Sequence, residues 1–239
     1  MVLDCNITKA GYSKSEPVLE NIKFTVRPGE LVGLIGPNGA GKSSTIKSLL
    51  GVLDYVEGVI DLGDYAYIPE RPFFYPDLTL MEHFHFLLST LEIEEKEFMT
   101  QMDKMLQVFQ LEKVVHHFPD SYSKGMQQKA MIMLAFLQQP KIHIIDEPFM
   151  GLDPTVIRKL LDMIEKEKQR GAGILMSTHV LDTAEKVCDR FLLISNGKLI
   201  AEGTLADIQQ RSALPDGSLF DCFHILTMCG EANDRVDTI

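Results

Sequence analysis

The chain has 239 residues, 45% of them hydrophobic and 24% charged, with a formal net charge of −11. That length suffices for a sizeable core in one large or two small domains. The acidic balance argues against nucleic acid as main partner, because a phosphate-tracking surface needs clustered Lys and Arg.

Residues 1–8 carry Asp4 and no apolar stretch of useful length, so no signal peptide is read there. The longest apolar run, residues 130–137, is far short of the roughly 20 residues a membrane-spanning helix requires. A membrane role is therefore expected to come through a partner. Cys5, Cys188, Cys222 and Cys229 show no metal-like spacing and read as free thiols in a reducing compartment.

In chain order, residues 31–35 read as a short buried strand, followed by a glycine turn and a helix over about 42–50. The turn, Gly36-Pro37-Asn38-Gly39-Ala40-Gly41-Lys42-Ser43, fits G-x-x-x-x-G-K-[ST] and lies between strand and helix, the context that gives this motif meaning. Its glycines let backbone N–H groups turn inward around phosphate oxygens, and the following helix aims its positive end there. Lys42 supplies a compact charge for β and γ phosphates, and Ser43 a hydroxyl for Mg²⁺.

Residues 65–68 form a further strand-length apolar run. Between Pro76 and Gln139 the pattern turns helical. Thr79 and Glu82 make a capping box, and Phe84, Leu87, Leu88 and Leu91 recur at helical spacing. Residues 104–111 and 125–137 continue the helical character. Residues 142–145 are an apolar strand ending in Asp146 and Glu147: the first suits a hard cation, the second could polarise an attacking water. Many strands end in solvated acids, so the pair alone does not decide. Asp153-Pro154 opens a helix over 156–170 by capping and by the fit of proline to a first turn. Residues 173–177 and 190–194 are strands, and Asn196-Gly197 joins the latter to 198–201 as a hairpin. Residues 212–239 are expected to dock loosely or fray.

Ser123-Lys124-Gly125-Met126-Gln127-Gln128, preceded by Tyr122, resembles the signature of ABC ATPases in an S-K-G-M form. Gly151-Leu152-Asp153-Pro154 resembles the same family's D-loop, Ser177-Thr178-His179 its switch histidine, and Gly11-Tyr12 its base-stacking aromatic. With the P-loop and the Asp146-Glu147 strand, the likeness covers about residues 2–208. It implies one domain: a nucleotide-binding core over 1–75 and 140–211, a helical subdomain over 76–139, and a tail over 212–239. The fold would be α/β, a P-loop NTPase core with mixed sheet, an amino-terminal antiparallel β region and an inserted helical subdomain.

The resemblance also implies roles. Tyr12 would stack on the base of ATP, and residues from Gly36 through Ser43, with Ser44, would hold its phosphates. Ser43, Asp146 and Glu70 would hold Mg²⁺. Glu147 would be general base, with Lys42 and His179 at the γ-phosphate. Ser123 and Gly125 would reach ATP held by a second ATPase subunit, identical or related. Glu70 stands where the family usually has Gln, and Lys124 and Met126 replace the commoner Gly and Gln of the signature.

The implied function is the ATPase subunit of an ABC transporter, peripheral on the cytoplasmic face of the membrane and coupled to an integral membrane permease. The S-K-G-M signature, residues 76–79 and the short tail resemble exporter-type ATPases, including the Ecs-type subunits of bacteria. Residues 73–76 offer a groove for a membrane subunit, or equally an aromatic loop packed on its own domain. The alternative is a non-transport ABC ATPase with a soluble partner, such as a cluster-assembly factor.

Overall fold

In the computed structural model, backbone is described for residues 1–149 and 151–234, and side chains for the same stretches as far as residue 228. Two sheets divide the strands. Strand β1 (Leu3–Ser13) runs antiparallel between β2 (Glu16–Val26) and β4 (Tyr55–Leu62). The second sheet has the order β5-β6-β7-β3-β8-β9, comprising β5 (Tyr65–Ile68), β6 (Ile142–Asp146), β7 (Gly173–Thr178), β3 (Leu31–Ile35), β8 (Arg190–Ser195) and β9 (Lys198–Gly203). All its pairings are parallel except β8 with β9, which the Asn196-Gly197 turn makes a hairpin. Both turn residues have positive φ, 47° and 73°, the geometry of a type I′ turn.

Strands β3, β6 and β7 are buried at every position, as expected when both faces of a parallel sheet are covered. Successive residues serve opposite cores. Ile144, Leu34 and Leu192 pack against Leu3, Ile7, Leu19 and Phe24 of the antiparallel sheet. Ile145 and Met176 pack on the other face, under α2 (Leu80–Thr90), α3 (Glu95–Phe109), α4 (Lys124–Phe136) and α5 (Pro154–Arg170), with Phe84, Phe98, Phe109 and Leu160. Helix α1 (Lys42–Leu49) follows β3, and α6 (Leu181–Val187) leads from β7 to β8.

Helix starts follow their capping chemistry. Thr79 and Glu82 exchange both bonds of a capping box, and Asp153 accepts from the N–H groups of Thr155 and Val156.

The carboxyl-terminal expectation is corrected. Helix α7 (Leu205–Ser212) leads to α8 (Leu219–Asp234), whose Leu219 and Cys222 are fully buried in a third core with Ile35, Phe191, Leu193 and Ile208. Glu185 of α6 accepts a hydrogen bond from the Leu219 N–H at 2.6 Å. This part of the segment is docked, because Leu219, Cys222, Phe223 and Leu226 share one helical stripe over that core. Residues 235–239 and the Cys229 side chain lie outside the described residues. Cys5, Cys188 and Cys222 are free thiols, and burial pushes Cys5 and Cys188 up to about 12.

Candidate functional site

The register of the parallel sheet puts the carboxyl ends of its strands side by side: Ile68 pairs with Ile145, Asp146 with Ser177, and Ile35 with Thr178. The segments leaving β5, β6, β7 and β3 therefore open on one edge. There they surround a cavity of about 400 Å³. The P-loop supplies Pro37, Asn38, Gly39 and Gly41, and the first turn of α1 supplies Lys42, Ser43 and Ser44. Glu70, Glu147 and His179 line it from the neighbouring strand ends, and Val18 of β2 closes one end.

Two glycines fix the loop. A Cβ at Gly36 would sit 2.4 Å from the Ile194 carbonyl oxygen, and Gly41 has φ +110° at the N-cap of α1. No side chain caps that helix, so its first-turn N–H groups and positive end are left for an anion.

Lys42 is buried and donates to the carbonyls of Gly36 at 2.7 Å and Pro37 at 3.2 Å. Its Nζ lies 3.5 Å from Glu147 Oε1, while Glu147 Oε2 lies 2.9 Å from His179 Nδ1. Glu147 has a positive φ of 49°, unusual for a residue with a side chain. Its N–H donates to the Ser177 carbonyl at 3.1 Å and contacts Ser177 Oγ at 3.2 Å. Ser177 Oγ in turn donates to Asp146. The fully buried Ser177 thus holds the Asp146 carboxylate and the Glu147 backbone.

Burial pushes the Asp146 carboxyl above its ordinary range. The charges of Glu147 and Glu70 add to that effect, and the Ser177 bond and Lys42 oppose it. Burial, with the negative charges of Asp146 and Glu70, likewise raises Tyr67 to about 12. A divalent cation would relieve this concentration of negative charge. Ser43, Asp146 and Glu70 are hard oxygen donors, and no cage of three or more acidic, His or Cys side chains exists among the described residues. That set fits Mg²⁺ arriving with phosphate oxygens, the usual way this ion completes its shell.

Six expected site residues are not on the cavity wall: Tyr12, Gly36, Ala40, Ser123, Gly125 and Asp146. Tyr12, near the end of β1, is 56% exposed, and its hydroxyl accepts from Lys47 at 3.3 Å. Ser123 caps α4 by accepting from the Met126 N–H at 3.3 Å. A Cβ at Gly125 would lie 3.4 Å from the Gly151 carbonyl, so signature and D-loop adjoin. Ala40 and Asp146 are buried just behind the cavity. Sequence reasoning missed Val18 and assigned Ser177 no role. Only its place at the end of an apolar strand beside His179 could have suggested one.

A mixed sheet whose P-loop faces an Asp-Glu strand end and a histidine, with a separate antiparallel sheet beside it, is the ATP-binding fold of ABC systems. The ABC transporter family model matches residues 19–150, more than half the chain, and the chain belongs to that family. It is 52% identical over 226 residues to the ABC transporter ATP-binding protein YthP of Bacillus subtilis, covering 93% of this chain and 95% of that protein. To the ABC-type transporter ATP-binding protein EcsA of the same organism it is 42% identical over 230 residues, covering 91% and 93%. A solved structure of an ATP-binding subunit of an ABC transporter superposes with TM-score 0.90 at 41% identity, covering 95% of this chain and 100% of that one. The dimeric post-hydrolysis structure of the ATP-binding cassette MJ0796, bound to ADP and Pi, shares the fold with TM-score 0.74 at 24% identity, covering 86% and 99%. No described helix is long and apolar enough to cross a membrane.

Proposed function

We propose that the chain hydrolyses ATP as one subunit of an ABC transporter and energises export through a separate membrane permease. The observation that carries this reading is the meeting of Lys42, Glu147, His179 and Glu70 around one cavity at the amino end of α1. The loop and first turn from Gly36 to Ser44 hold the phosphates, and Lys42 neutralises them. Ser43, Asp146 and Glu70 hold Mg²⁺, which when bound offsets phosphate charge. Glu147, held by Ser177 through its backbone and by His179 through its carboxylate, takes the proton of the attacking water. The exposed ring of Tyr12 receives the base.

Ser123 and Gly125 stand on a different surface, beside Gly151. We infer that they act on nucleotide held by a second ATPase subunit, so two copies close around two ATP molecules. Phe73, Tyr75 and Phe86, each more than half exposed, lie downstream of Glu70. Tyr75 stacks on His83 and meets Phe86 edge-on. Such an exposed aromatic group suits a membrane subunit's cytoplasmic helix.

Affinity purification from native membranes in mild detergent, with mass spectrometry, tests the reading. A stoichiometric multi-span membrane protein whose presence alters ATP turnover is the expected result. Recovery with soluble proteins alone would favour the non-transport alternative.

A further inference from the structure

A second hollow, of about 590 Å³, opens between α3 and α5 with the end of α4 as its floor. It shares no wall residue with the ATP cavity. Met105, Val108, Phe136 and Met163 give it an apolar lining. Its cations are Lys104, Lys159, Lys166 and Arg170, in a chain whose net charge is −11.

The acids on the wall cancel little of this. Glu167 is already engaged by His143 Nε2 at 3.0 Å and by Arg170 Nε at 3.0 Å. Those bonds also commit Arg170. Lys159 is likewise engaged by the Val108 carbonyl, so Lys104 and Lys166 face one uncommitted carboxylate, Asp162. A concave, mostly apolar site with a few convergent charges is the usual form of a small-ligand pocket, and its size falls within that range.

The helices are tied on both sides of the hollow. Gln139, just beyond α4, donates to Gln101 of α3 at 2.9 Å, and Lys159 of α5 donates to the Val108 carbonyl of α3. A docked helix, about 10–12 Å across, would have to part α3 from α5 against these bonds. A nucleotide would set a polar sugar on four apolar side chains. A polymethylene chain with an anionic head meets neither objection.

We propose that this hollow binds a single-chain anionic amphiphile of the fatty-carboxylate class. The chain lies over Met105, Val108, Phe136 and Met163, and the carboxylate is held by the exposed ammonium groups of Lys104 and Lys166.

Isothermal titration of the full chain with dodecanoate, below its micelle concentration, tests this. Butyrate has the same head without the tail, and dodecyltrimethylammonium the same tail with the opposite head. Saturable binding of dodecanoate, none of butyrate and weaker binding of the cation are expected. Lys104→Glu with Lys166→Glu should weaken dodecanoate about tenfold or more and leave ATP binding unchanged. Both side chains are exposed, so the fold tolerates the change; Lys166→Gln is a milder second variant with a smaller loss. Absence of saturable binding, equal binding of the cationic detergent, or an unaffected double variant would overturn the proposal. So would preferential binding there of an acidic helical peptide.

Discussion

The ammonium of Lys42 and the carboxylate of Glu147 lie 3.5 Å apart, both nearly buried, with His179 on the far oxygen of the same carboxylate. Glu147 therefore supplies Lys42 with a negative partner before any phosphate does, and an incoming triphosphate competes with it. Glu147→Gln keeps the shape and removes that charge. Nucleotide titration should show ATP affinity retained or raised. Single-turnover assays should show hydrolysis reduced about 100- to 10,000-fold. Normal turnover in this variant would sink the assignment of Glu147 as base.

Asp146 illustrates a site residue that works against stability. Its carboxyl is raised chiefly by burial, so its folded pKa stands above the unfolded value. Between the two, the folded chain holds the extra proton, and stability falls as pH rises through that window. Ionised Asp146 is thus a cost at neutral pH when no metal is bound. Asp146→Asn retains an acceptor for Ser177 and should raise Tm measured without nucleotide or metal, while abolishing magnesium-dependent turnover. A lower Tm at neutral pH would contradict this sign.

Glu70 places a carboxylate at the cavity wall where related ATPases commonly use an amide. As a metal ligand, it should make Glu70→Ala need several-fold more Mg²⁺ for half-maximal ATPase activity, with Glu70→Gln intermediate. Either substitution removes a negative charge near Tyr67, whose phenol should then titrate below its present value of about 12. Unchanged magnesium dependence, turnover and transport coupling in Glu70→Ala would refute the assignment.

Leu219 is fully buried at the start of α8. Leu219→Ala should cost about 2–5 kcal/mol, read as a lower urea midpoint with unchanged ATP affinity. A negligible loss would mean that α8 contributes little to the core.

Much of this architecture is legible in the residues because the parallel strands are mostly apolar runs. Residues 31–35, 65–68 and 142–145 announce themselves, and Asn196-Gly197 admits one reading. The antiparallel strands are harder to place. Strand β1 buries Leu3, Cys5 and Ile7 but intersperses Asp4, Asn6 and Thr8, so its signal is alternation rather than a run. For α8 the stripe of Leu219, Cys222, Phe223 and Leu226 was present at helical spacing. The exposed Phe220 and the preceding Pro215-Asp216-Gly217 turn obscured it. The residues of the P-loop and strand ends could be named from type and order. The grip of Glu147 on Lys42 and His179 could not, since it depends on an unusual backbone conformation and on strands distant in sequence. The hollow between α3 and α5 likewise exists only through tertiary packing.

The hairpin turn at Asn196-Gly197 does more than reverse the chain. Gly197 donates to the Ala40 carbonyl of the P-loop at 2.9 Å and accepts from the Glu20 N–H of β2 at 2.9 Å. A Cβ there would meet the Val18 carbonyl oxygen at 2.1 Å. The phosphate cradle and the sheet bearing Val18 and Tyr12 are therefore clasped by a single residue too small to replace. A side chain at 197 would push β2 away from the hairpin turn that holds the P-loop, so one substitution there would disturb both walls of the cavity at once.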